Sequence, residues 1–88
     1  MADTLQIERI QTGVRLEKSM LKVLKGLAEY LDISLGDLLE GIVLHAFAGH
    51  SAFAEKPELL TIIQQLKTVY GMHYDEQFAH RLTEAVQG

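Results

Sequence analysis

The sequence predicts a mainly α-helical chain, led by one short strand, that folds as an intertwined homodimer. Three observations carry this expectation. An alternating stretch near the N-terminus reads as a single strand, and no second convincing strand follows it. Two helical periods come next, the second apolar around most of its circumference. Finally, the chain has 88 residues, 48% of them apolar, and a body this small buries that much apolar surface best between two copies.

Residues 1–7 are expected to be loose. From Glu8 to Leu16 the period is two: Ile10, Thr12, Val14 and Leu16 share one face, and Arg9, Gln11, Gly13 and Arg15 share the other. A lone strand leaves its backbone groups unpaired, so its partner is expected from another copy. From about Lys18 to Tyr30 the period becomes helical, with Leu21, Leu24, Leu27, Ala28 and Leu31 on one stripe and Lys18, Lys22 and Lys25 opposite. Ser34 reads as an N-cap, with Asp37 three residues on in a capping-box arrangement. The helix it opens runs to about Phe47 and is expected to be buried on more than one side, with Gly36 and Gly41 admitting another backbone.

After a linker over residues 48–56, Pro57 fits the first turn of a third helix whose face is built from Leu59, Leu60, Ile62, Ile63, Leu66, Val69 and Tyr70. Gly71 reads as its stop. A short fourth helix is expected from Asp75 to about Val86, packed by Phe78, Leu82 and Ala85. The domain plan is thus residues 1–50 as the dimerising unit and 51–88 as a two-helix extension packed on it.

The net charge is −4, but it is unevenly spread. Residues 9–27 hold Arg9, Arg15, Lys18, Lys22 and Lys25 against the single acid Glu17. A basic surface carried on an acidic body suits an anionic partner, and a solvated lysine-rich helix face is the competing reading. The chain has no cysteine, which excludes disulfides and thiolate metal sites. No basic leader or apolar run of membrane-spanning length occurs, so a soluble chain of the cytoplasm is expected, with no membrane partner. The four histidines include no pair closer than the five-residue step from His45 to His50, so neither a metal nor another cofactor is expected. His45 reads as half-buried, and His80 with Glu84 as a surface pair on one helix face. No activated nucleophile or phosphate-cradling loop stands out, so no catalysis is expected.

The run IQTGVRLEKSMLKVLKGLAEYLDISLGDLLEGIVLHAF resembles the ribbon-helix-helix superfamily of Arc- and MetJ-type repressors. The likeness lies in an alternating strand ending in Val-Arg-Leu, a first helix of about a dozen residues, a short turn and a Ser-capped apolar second helix. It spans roughly residues 8–48. The resemblance implies that two strands, one per subunit, pair antiparallel and form a ribbon that enters the major groove of double-stranded DNA. It implies base contacts from Arg15, Gln11 and Arg9, because arginine matches guanine and glutamine matches adenine by paired hydrogen bonds. Ser34, Leu35 and Gly36 would hold a phosphate at the second helix N-terminus, with Lys18 and Lys22 as further phosphate contacts. Gly13 leaves one outward ribbon position without a side chain. Two functions stay open: a dimeric transcriptional regulator, acting as a repressor or autoregulator, and an antitoxin-like interaction module whose residues 52–88 bind a protein partner.

Overall fold

The computed structural model describes residues 4–50 and 53–84. In chain order these form strand β1 (Leu5–Ile7), helices α1 (Lys18–Leu31), α2 (Leu35–Phe47) and α3 (Pro57–Tyr70), a 3-10 turn at Glu76–Phe78, and strand β2 (Leu82–Glu84). The chain is mainly helical, as its periodicity predicts.

The three helices begin and end where their local chemistry requires. Glu17 caps α1 by accepting hydrogen bonds from the Ser19 and Met20 amides, and Asp32 ends it in the left-handed conformation at φ 58°. Ser34 Oγ accepts from the Asp37 amide at 3.0 Å, so α2 starts one residue after the predicted cap. Pro57 opens α3, where its missing N–H costs nothing, and Gly71 closes it at φ 72°.

The two ends of the chain depart from expectation. Residues 5–7 form a strand instead of a loose end, and β1 pairs in parallel with β2, Leu5 opposite Leu82 and Ile7 opposite Glu84. The expected fourth helix is replaced by the 3-10 turn and β2, while its last expected residues, 85–86, lie outside the described residues. Asp75 does cap, accepting from the Gln77 amide at 3.0 Å, but His80 then adopts φ 64°. A left-handed residue ends a right-handed helix, and the chain leaves in extended form toward β1. His80 and Glu84 therefore share no helix face.

Residues 8–16, the predicted strand, carry no regular structure and no strand pairing among the described residues. Their apolar side chains stand in solvent: Ile10 is 80% exposed and Val14 75%.

The buried core is small: Ala28 of α1 with Leu38, Gly41 and Leu44 of α2. Helix α2 is not enclosed by its own chain as expected, since Ile42 and Val43 remain 49% and 43% exposed. Met20, Val23 and Leu27 of α1 are exposed as well. Gly41 does admit a close neighbour, but it is the His80 ring and not a backbone: a Cβ there would lie 3.1 Å from the imidazole. Nothing approaches Gly36 within 4 Å. The C-terminal stretch over residues 76–84 is held against β1 and α2: β2 pairs with β1, and the 3-10 turn sits on α2.

Candidate nucleic-acid interface

The expected contact residues fall into two groups. Gln11 and Arg15 lie on the irregular segment before α1, exposed to solvent, and Lys18 and Lys22 lie one turn apart at the start of α1, also exposed. With Lys25 a turn further on, this stretch is a continuous basic run. Only the Glu17 carboxylate interrupts it, and that group is turned back onto its own helix. Hydrogen bonds from the Ser19 hydroxyl, then from the Ser19 and Met20 amides, hold the Glu17 carboxyl below the usual carboxylate range.

Arg9 belongs to the other group. Its guanidinium grips Glu40 of α2 through two hydrogen bonds, Nε to Oε2 at 3.0 Å and an Nη to Oε1 at 2.8 Å. A further nitrogen lies 3.8 Å from Glu84 of β2. The bond to Glu40 raises the Arg9 pKa against the burial that opposes it, with the Glu40, Glu84 and Asp37 charges adding to the rise. Such a paired fork is a strong, directional contact. Arg9, expected as a base reader, here ties the N-terminal segment to α2 and β2.

At the start of α2, Ser34 is spent on its cap, and the Leu35 and Gly36 amides lie in the first turn, where a helix leaves its amides without intrahelical partners. The open space at Gly36 leaves this turn sterically accessible. Asp37 brings a negative charge into the same turn. The structure sets His80 Nδ1 3.1 Å from Asp37 Oδ1, so a cationic imidazole would offset that charge.

Glu40, Glu84 and His80 were not legible as partners. They are 31 to 75 residues from the groups they meet, and no local pattern announces such pairs. His45 is exposed, contrary to expectation, with its ring 6.0 Å from that of His50. Among the described residues no group of three or more histidine or acidic side chains is arranged to hold a metal ion. Among the same residues no helix is long and apolar enough to cross a membrane.

Compared with protein-family models, with curated proteins and with solved structures, the chain matches none.

Proposed function

We propose that the chain works as a ribbon-helix-helix homodimer that binds double-stranded DNA as a cytoplasmic transcriptional regulator, a repressor or autoregulator. The observation that carries this reading is the state of residues 10–16. Ile10, Val14 and Leu16 alternate along the chain and are exposed, directly before a helix whose Met20, Val23 and Leu27 are exposed too. A second copy, pairing strand to strand, covers this apolar set and satisfies the backbone in one step. Covering the even-numbered residues turns Gln11 and Arg15 outward. Two such strands side by side double the basic run on one surface.

In this assembly Arg15 reads guanine and Gln11 reads adenine in the major groove. The Leu35 and Gly36 amides, with Lys18 and Lys22, hold phosphates. With Arg9 engaged by Glu40, and Gly13 without a side chain, each strand keeps two readers. Modest specificity per dimer follows, and adjacent dimers on a longer operator would compensate.

The test is duplex binding measured over a range of salt concentrations, with random and genomic DNA. Affinity that falls steeply with salt, on a dimer, supports the proposal. Absence of any salt-sensitive affinity at low ionic strength refutes it.

A second reading has its own observation. Ile62, Leu66, Val69 and Tyr70 of α3 are also exposed, as a helix that binds a protein partner would be. In that reading the same dimer is an interaction module, and a dimer without DNA affinity would favour it.

A further inference from the structure

We propose that the outer edge of β1 is a docking site for an extended peptide from a partner protein, apolar at alternate residues and carrying a lysine or arginine opposite Glu8. The inference does not require DNA binding and concerns a different part of the molecule from Gln11 and Arg15.

The first observation is hydrogen-bonding capacity. Leu5 donates its amide to the Arg81 carbonyl at 2.7 Å. In a ladder the bonding residues alternate, so Leu5 and Ile7 face β2, while the N–H and C=O of Gln6 face away. Among the described residues the two-stranded sheet ends there. Such an edge is a template for one more strand.

The second observation is the space beside that edge. A groove of about 630 Å³ is lined by Leu5, Gln6, Ile7 and Glu8 on one side and by Tyr70 to Tyr74 with Phe78 on the other. All three residues of β1 and the Glu8 that follows line it and none of β2 does, which sets it on the side of β1 away from β2. Its volume lies within the roughly 300–1,000 Å³ of ligand clefts. Tyr74 and Phe78 meet edge to face with ring centroids 6.4 Å apart, a firm aromatic wall for apolar side chains of an added strand. Among the described residues Glu8 is the one carboxylate that lines the groove, and none of those lining it is a lysine or arginine. The matching peptide therefore carries a cation at that end.

The second copy's ribbon is poorly placed to fill this groove. If the proposed ribbon is symmetric about Thr12, Glu8 lies opposite Leu16 and Gln6 opposite Lys18. By Lys18 the chain has already turned into α1, so its strand ends before reaching β1.

The experiment uses the full chain, labelled with ¹⁵N, and the synthetic peptide acetyl-Val-Lys-Val-Tyr-Val-amide. Saturable one-to-one shifts at Gln6, Glu8 and residues 71–74 are expected. N-methylating the peptide amides that face β1 should weaken binding at least about tenfold, the worth of one or two hydrogen bonds. Gln6→Pro should do the same with the fold kept, because proline is tolerated where a strand N–H points off the sheet. Glu8→Gln should weaken the lysine peptide and leave its norleucine counterpart unchanged. The proposal is overturned by absence of shifts at these residues up to the peptide's solubility, or by equal binding of the N-methylated peptide. It is also overturned if these residues shift with protein concentration alone, which would assign the edge to a second copy. Should Gln6→Pro unfold the chain, the N-methylated peptide decides. Retained salt-sensitive DNA binding in the Gln6→Pro dimer would separate this site from the proposed DNA surface.

Discussion

Residues 5–9 and residues 10–16 are neighbours with the same alternating habit and opposite fates. In the first stretch the odd-numbered side chains turn inward: Leu5 and Ile7 are half-buried at β2, and Arg9 reaches Glu40. In the second the apolar residues are even-numbered, and Ile10, Val14 and Leu16 face solvent. A shift of one residue in an alternating chain moves every side chain to the other face. Up to Arg9 the alternation serves contacts within the chain, and from Ile10 to Leu16 its apolar side chains stay exposed. The proposed second copy would therefore have one short segment and the exposed faces of the helices behind it to cover, while β1 and β2 already hold each other.

The largest effect should come from attacking the uncovered side. Ile42→Asp places a charge on the exposed apolar face of α2. In an isolated chain a half-exposed site would tolerate it, at a cost within about 1 kcal/mol. In the proposed dimer it buries an unpaired carboxylate, which should cost on the order of 3–5 kcal/mol and abolish assembly. Chemical denaturation read together with sedimentation separates the two outcomes.

Next comes Arg15→Ala. It should relax discrimination at one base pair in each half-site by about 1–3 kcal/mol, with the fold unchanged. Lys22→Ala should instead weaken all duplexes alike and flatten the salt dependence by about one unit of slope. Arg9→Ala belongs to the other region. It should lower stability by about 1 kcal/mol through loss of the Glu40 fork and leave base discrimination as it was. If Arg9→Ala alters discrimination as Arg15→Ala does, the division at residues 9 and 10 is wrong.

The smallest effect concerns the hinge between arm and helices. The Glu17 carboxyl is held below its ordinary value of 4.5 by its cap hydrogen bonds, Ser19 first. A lowered folded-state pKa means the cap contributes above the unfolded value and is lost as pH falls through the folded one. An acid titration of α1 helicity should therefore show a step below pH 4.5 that Glu17→Gln removes.

Much of the helical plan was readable because its signals are local. The Ser34 cap, Pro57 at the first turn of α3 and Gly71 at its end each act within a few residues. The two strands were not readable for the opposite reason. At three residues each, Leu5–Ile7 and Leu82–Glu84 are too short to show a period, and each exists only through the other, 77 residues away. The stretch from Asp75 carries a cap and helical spacing, but His80 takes a left-handed conformation with its ring over Gly41. That tertiary contact has no trace in the local pattern. Among the site residues, Arg9 looked like Gln11 and Arg15 because the alternation runs through all three. Only the position of Glu40 distinguishes it.

We propose that a second copy completes residues 10–16 and the exposed faces of α1 and α2. Sedimentation equilibrium of the wild-type chain at low micromolar concentration tests it most directly. The predicted result is one folded species of twice the chain mass, with loss of helical signal wherever dilution releases single chains. A stable, fully helical species of single-chain mass would contradict the claim.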